Sequence, residues 1–239
     1  MKLIGVGVGP GDPELVTVKA VRMMRAADRV YVPVLSADET GYAEITVRTH
    51  VDHDRIERLI FAPPAAPDEP DAASEAVARY LHAKGPGGSV VFATIGDPNV
   101  YSAFTTLAQS VRALLPDVTI ETVPGVTAAQ DLASRSRVPL VEGGDLLTLL
   151  PLGAGVGGLS DVLDRPGSVV VYKSGRHLIG VKEAVRRAGR LHGALYGARL
   201  GLPGEVVRPL ASADGNIAPY LSSVLVPARR SSLVRSGAQ

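Results

Sequence analysis

Short apolar runs rich in β-branched residues alternate along this chain with stretches whose apolar positions recur every three or four residues. The runs at 2–8, 29–34, 88–95, 118–123, 146–151, 168–173, 193–199 and 221–227 predict strands. The three-to-four spacing predicts helices near 14–27, 72–84, 99–115, 125–136 and 178–189. In the third of these, Tyr101, Phe104, Leu107, Ala108, Val111, Leu114 and Leu115 fall on one face, and Pro116 ends it. Strict strand–helix alternation over the first 115 residues predicts a largely parallel sheet covered by helices. Later, strands outnumber helices, which predicts a mixed sheet. The expected fold is therefore α/β in two domains, 1–116 and 117–239, divided at the turn "LLPDV". The proline- and acid-rich segment "FAPPAAPDEPDAA" at 61–73 reads as an exposed loop.

Three loops at predicted strand ends carry the candidate chemistry. The first, "GVGVGPGDPE", has glycines at 5, 7, 9 and 11. It is not a dinucleotide fingerprint, because Pro10 or Asp12 stands where the third glycine is required, and no Gly-Lys-Ser/Thr follows to make a P-loop. Asp12 is placed to cap the following helix, with Pro13 at its first position and Glu14 in its first turn. The second loop, within "ATIGDPNVYSAF" (93–104), repeats that grammar as Gly96-Asp97-Pro98. Capping accounts for Asp97 locally, yet ligands of open α/β sheets bind beyond the carboxyl ends of strands, where both loops would lie. The third loop, "TVPGVTAAQ", turns at Pro124-Gly125 and starts a helix in which small residues and the Thr127 hydroxyl leave the backbone open to a flat ring.

Composition removes several classes. There is no cysteine, so disulfides, thiolate metal sites and cysteine nucleophiles are excluded. The N-terminus lacks the pattern of a secretory signal, and no apolar stretch approaches the ~18 residues that span a bilayer, so a cytoplasmic protein is expected. "HVDHD" sets His50 and His53 beside Asp52 and Asp54, but no further ligand cluster completes a metal site, so none is expected. No Gly-x-Ser-x-Gly elbow supports a hydrolase. Net charge is +1 but uneven: twelve basic and three acidic residues lie from Arg165 onward, against thirteen and twenty-one before. A basic second half suits an anionic ligand or a nucleic acid, and equally a solvated helix face such as "KEAVRRAGR".

Taken in order, "GVGVGPGDPELVTVKAVRMMRAADRVYVP", "GDPNVYSAF", "PGVTAA" and "VVVYKSG" resemble the S-adenosylmethionine-dependent tetrapyrrole methyltransferases over nearly the whole chain. Within that family, Gly-Asp-Pro-x-x-Tyr-Ser-x-Phe and the later "PYLSSVLV" are most similar to the enzymes that methylate C-20 of precorrin-2 in cobalamin synthesis. The resemblance implies two α/β domains with the cofactor in the cleft between them, a homodimer, and S-adenosylmethionine as methyl donor, leaving as S-adenosylhomocysteine. It maps the cofactor contacts onto Pro10, Ile95, Gly96, Asp97, Val100, Thr127, Ala128, Lys173, Ala198 and Ser222. Asp97 and Tyr101 are the candidate catalytic groups. The implied substrate is a polycarboxylate macrocycle, which arginine suits, and Arg135, Arg137, Arg176 and Arg199 are its expected contacts. Ile95 before Gly96 sets the chain apart from siroheme-pathway members, which usually have glycine there, and the one departure from the C-20 pattern is Ala103, where those enzymes usually have threonine. Other readings remain beside this one: a different ring position, an rRNA or diphthamide-type methylase of the same fold, a nicotinamide oxidoreductase, or a tetrapyrrole carrier. Only 3 Phe, 7 Tyr and no Trp are available for stacking on nucleic acid, and neither nucleic acid nor membrane is the expected partner.

Overall fold

Two sheets organise the chain, one in each of two units, Met1–Thr127 and Ala128–Gln239. The computed structural model describes residues 1–61, 72–153, 155–214 and 218–229. Most of the expected loop at 61–73, and the basic tail from Arg230, lie outside the described residues.

The first unit is a five-stranded, fully parallel sheet. Its strands β1 (Lys2–Gly7), β2 (Arg29–Val34), β3 (Ile56–Ile60), β4 (Ser89–Thr94) and β5 (Thr119–Val123) stand in the order β3-β2-β4-β1-β5. The three inner strands, β2, β4 and β1, are largely buried apolar runs because both faces are covered. On one face, Ile4, Val6, Val30, Val32, Val91 and Ala93 pack with α1 (Val18–Ala26) and α2 (Tyr42–Val47). On the other, Leu3, Tyr31, Val90 and Phe92 pack with α3 (Ala72–Lys84) and α4 (Phe104–Leu114). Alternate residues of one strand thus serve opposite layers.

Three details differ from expectation. The sheet keeps β5 as its edge partner to β1, and the chain passes from unit to unit at Thr127/Ala128 rather than at 116/117. The predicted helix 14–27 is split: Pro13–Leu15 is a 3-10 turn, and α1 starts afresh after Thr17, whose Oγ1 accepts the Ala20 N–H at 3.1 Å. β3 and α2 are unannounced in the sequence because β3 ("IERLI") is an edge strand carrying Glu57 and Arg58, and α2 is only six residues long.

Glu44 on α2 is fully buried, and its carboxylate accepts hydrogen bonds from Arg48 Nε (2.8 Å) and Arg58 Nε (2.8 Å). Arg58 also donates to the Ala37 carbonyl and Thr40 Oγ1, so this carboxylate anchors the segment between β2 and α2. Burial alone would raise the Glu44 pKa; the hydrogen bonds and charges of Arg58 and Arg48 outweigh it and hold it below the ordinary 4.5. A lowered native pKa means stability that is present above the unfolded pKa and lost as pH falls through the native one. Urea unfolding followed from neutral pH down through pH 4 is therefore expected to show an acid loss of stability. Glu44→Gln should be less stable at neutral pH and show a shallower acid limb.

The second unit holds β6 (Leu147–Pro151), β7 (Ser168–Tyr172), β8 (Leu195–Ala198), β9 (Val206–Pro209) and β10 (Ser222–Val226) in the order β6-β7-β10-β8-β9. Only β6 and β7 are parallel, so this sheet is mixed, as the strand-rich pattern predicts. Leu132 and Ala129 of α5 (Ala128–Ser136) pack with Val170 and Leu225 on one face. α6 (Leu159–Leu163) and α7 (Leu178–Arg187) cover Val169, Val171, Val224 and Val226 on the other. α6 and β9 were not expected; each is no more than five residues long, too short for either periodicity to declare itself.

Candidate functional site

In the first sheet, the connections leaving neighbouring strands β1 and β4 run to opposite sides of the strand order, toward β2 and β5 respectively. This reversal marks where α/β sheets open a crevice at their carboxyl edge. The three glycine loops meet there, main chain against main chain. Val8 N–H donates to the Thr94 carbonyl at 2.9 Å, and Gly96 N–H donates to the Gly9 carbonyl at 2.7 Å. A Cβ on Gly7 would lie 2.5 Å from Gly96 O and 2.6 Å from Gly125 N, so the loops after β1, β4 and β5 meet with no room for a side chain at this point.

Asp97 locks this arrangement. It is 9% exposed; its Oδ1 accepts the Asn99 N–H at 2.8 Å, and its Oδ2 accepts the Gly125 N–H at 3.0 Å. One oxygen closes its own turn and the other reaches the neighbouring loop. The expectation that Asp97 caps the next helix is thereby corrected. The helix begins only at Phe104, and Ser102 serves its start: Ser102 Oγ accepts the Phe104 N–H at 3.1 Å and donates to Thr94 Oγ1 at 3.1 Å. Asp12, by contrast, does accept the Glu14 N–H (2.9 Å) as expected, though the turn it caps is 3-10.

Around this knot, Pro10 is buried, and Ile95, Gly96, Val100, Thr127 and Ala128 are half-buried. Gly96 has φ +72°, with nothing within 4 Å of the position a Cβ would take, so its backbone is bare on that side. Tyr101 is not on the apolar helix face assigned to it; it sits in the loop before α4 with φ 49°, and is 44% exposed. Leu35, Tyr42 and Ile60, near the carboxyl ends of β2 and β3, are also exposed. His50 Nε2 lies 3.0 Å from the Pro13 carbonyl.

In the second unit, the register sets Ser223 opposite Tyr172 and Ser222 opposite Ala198. The ends of β7 and β8 and the start of β10 therefore share one edge, where Lys173, Ala198 and Ser222 were expected to act. Ala198 is buried, and Ser222 Oγ is turned inward, 3.0 Å from Ser174 Oγ. Lys173 is half-buried with Nζ 5.8 Å from the Tyr220 ring centre. The expected arginines separate. Arg176 is exposed on the 3-10 turn Gly175–His177. Arg135 donates from Nε to Asp131 (2.9 Å) and from NH1 to Glu205 (2.9 Å). Arg199 is exposed and, among the described residues, has no carboxylate partner.

The described non-glycine residues with positive φ are Tyr101, Arg137, Lys173 and Arg199. All four are among the expected site residues. Such conformations cost on the order of 1 kcal/mol or more each and gather where the surroundings over-determine them. Arg137 has a local cause: it ends α5 in the left-handed turn, donating to the Ser134 carbonyl while Val138 donates to that of Ala133. Tyr101, Lys173 and Arg199 sit in loops at strand ends or leading into a helix. Ser102, Thr94, Ser174 and Glu205 were missed by sequence reasoning; only Ser102, two residues ahead of an apolar helix, left a readable signal there.

The sequence matches the family described as Tetrapyrrole (Corrin/Porphyrin) Methylases over residues 2–214. It is 34% identical over 239 residues to a precorrin-2 C(20)-methyltransferase of a Sinorhizobium species, covering 95% of each chain. It is 31% identical to a cobalt-precorrin-2 C(20)-methyltransferase of Salmonella typhimurium, covering 94% of this chain and 95% of that one. Among solved structures, the uroporphyrin-III C-methyltransferase of Thermus thermophilus in complex with S-adenosylhomocysteine superposes with a TM-score of 0.62 at 23% identity, covering 94% of this chain and 97% of the other.

Proposed function

The chain belongs to the tetrapyrrole (corrin/porphyrin) methylases, and from that membership we propose that it transfers a methyl group from S-adenosylmethionine to C-20 of precorrin-2, or of its cobalt form, in cobalamin biosynthesis. The ring position rests on the relatives named for it, which match nearly end to end. The cofactor reading rests on the knot around Asp97, which holds three loops at the edge where a ligand of this fold binds. In this reading the enzyme is a homodimer, as the family resemblance implies, it works in the cytoplasm, and its partner is an anionic tetrapyrrole rather than a nucleic acid.

The residues present fit such a cofactor. The bare backbone of Gly96 admits a close ligand, Pro10, Ile95 and Val100 offer apolar surface, and Thr127 offers a hydroxyl. Ala128 adds a small residue where α5 begins. Of the other contacts that the family resemblance implies, Lys173 has its stem or backbone to offer, and Ala198 and Ser222, with buried side chains, only main chain. Bound S-adenosylmethionine supplies a methyl on a sulfonium, so that a C–C bond to C-20 replaces the S–CH3 bond and one proton leaves the substrate. The chain's own work is to orient the acceptor carbon and exclude water. Both carboxylate oxygens of Asp97 already accept backbone amides, which supports an anchoring role over that of a base. Tyr101 is the remaining candidate for meeting the proton. Arg137, Arg176 and Arg199 are the exposed cations proposed for the substrate carboxylates.

Incubation with methyl-labelled S-adenosylmethionine and either precorrin-2 or its cobalt form is expected to place one labelled methyl on C-20. Label on another carbon, or no transfer to either macrocycle, refutes the assignment.

A further inference from the structure

Arg135 looks, in sequence, like a substrate contact. Its surroundings give it other work. Its Nε donates to Asp131 Oδ2 at 2.9 Å, one helical turn earlier on α5, and Asp131 is only 5% exposed. Its NH1 donates to Glu205 Oε1 at 2.9 Å and lies 2.8 Å from Oε2. Glu205 Oε2 in turn accepts the Gly201 N–H at 2.7 Å. The guanidinium is thus already neutralised by two carboxylates, one of which reaches back to the start of its own loop.

That loop, 199–205, connects β8 to β9. It is built of tight turns: Leu202 N–H donates to the Arg199 carbonyl at 2.9 Å, and Glu205 N–H donates to the Leu202 carbonyl at 3.1 Å. Gly201 and Gly204 have φ of +72° and +81°. Leu200 and Leu202 are buried and pin its inner side. Arg199 heads the loop at φ 50°, and its own N–H donates to the Leu221 carbonyl at 3.0 Å. The Arg199 guanidinium lies across the loop, with NH1 3.2 Å from where a Cβ on Gly204 would stand. The Arg199 side chain thus runs back along its own loop, whose far end is tied to α5 through Glu205.

We propose that Arg135 and Glu205 form a positioning clamp: Arg135 does not touch the substrate, but, through Glu205 and the Gly201 amide, fixes the 199–205 loop so that Arg199 is presented to a carboxylate of the tetrapyrrole. This deepens the methyltransferase reading and rests on it for the identity of the carboxylate. The physical logic is pre-organisation. Arg199 gains a rigid base for a bidentate contact, so less rotamer freedom is lost on binding.

The clamp separates from direct contact by the behaviour of Glu205. If Arg135 itself bound the substrate, Glu205→Gln would release it and KM would stay level or fall. If the clamp is right, Glu205→Gln and Arg135→Met both raise KM for the tetrapyrrole about tenfold, as loss of one charged hydrogen-bonded tie implies. In both variants kcat and the affinity for S-adenosylhomocysteine stay within about twofold of the parent. The double variant should be no worse than the poorer single one, because both remove the same tie. Arg135→Lys should recover part of the loss. Hydrogen exchange at the amides of Gly201, Leu202 and Glu205 should speed up in both single variants, a readout that needs no substrate. A raised KM in Arg135→Met with an unchanged one in Glu205→Gln overturns the clamp, as does unchanged exchange at Gly201. A parent enzyme that methylates neither macrocycle, yet shows the exchange response, sinks the methyltransferase reading and with it the role given to Arg199, while leaving the clamp on the loop standing.

Discussion

Asp97→Ala is expected to lower kcat/KM by two to three orders of magnitude and to weaken S-adenosylhomocysteine binding at least tenfold. The carboxylate makes two charge-assisted bonds to backbone amides, at 2.8 and 3.0 Å, in a place only 9% exposed. Hydrogen bonds to charged groups contribute about 1.5–3 kcal/mol each, and a tenfold change corresponds to about 1.4 kcal/mol. Losing both ties releases the Gly96–Pro98 turn from the Gly125 loop, and with it the surface on which the cofactor is proposed to rest. Asp97→Asn is the sharper probe. The amide keeps one acceptor oxygen but turns an NH2 toward one of two N–H groups, so an intermediate loss of cofactor affinity and turnover together is expected. Calorimetry with S-adenosylhomocysteine, run beside single-turnover kinetics, checks this. An Asp97→Asn enzyme that binds both ligands normally yet turns over more than a hundredfold slower would assign Asp97 to proton transfer instead.

Gly125→Ala should be the most damaging single methyl in the first unit. The added Cβ would lie 2.2 Å from Gly96 O and 2.8 Å from both C and Cα of Gly7. All three neighbours are main chain, fixed in the sheet or in loops bonded to it, so none can rotate aside. Overpacking of this kind costs about 1–3 kcal/mol or more, and here the loops must part to relieve it, so cofactor binding is expected to disappear. Gly96→Ala is the control. Its Cβ would meet nothing within 4 Å, and only the φ of +72° opposes it, a penalty of about 1–2 kcal/mol. Denaturant unfolding of the two variants checks the order. Equal destabilisation would mean that the loops are not packed as described.

All eight strands expected from apolar runs are present, and six of them (β1, β2, β4, β7, β8 and β10) are largely buried, so burial is written directly into their composition. What escaped is short or charged: β3 with its Glu57 and Arg58, β9, and the single-turn helices α2 and α6. The Gly-Asp-Pro motifs were legible as loop ends, but not the use made of each aspartate. Asp12 bonds within its own turn, whereas Asp97 spends one oxygen on Gly125, twenty-eight residues away, a partnership no local pattern encodes. The partners of Arg135 were hidden for the same reason. Its nearest carboxylate, Asp131, is one turn away and readable, but Glu205 is seventy residues distant and comes to it only through the fold of the second sheet. Arginines near a motif look alike in sequence; a guanidinium already neutralised and one left exposed differ only in three dimensions.

The knot of Gly7, Gly96 and Gly125 is almost entirely backbone, with one carboxylate as its rivet. A seat made of peptide groups is blind to the identity of the side chains around it. In the proposed reading, selectivity for one carbon of the macrocycle is expected to lie instead with exposed side chains such as Tyr101 and Arg199. Substitutions at those positions are then expected to retune which ring atom is offered while leaving the proposed seat of the methyl donor in place.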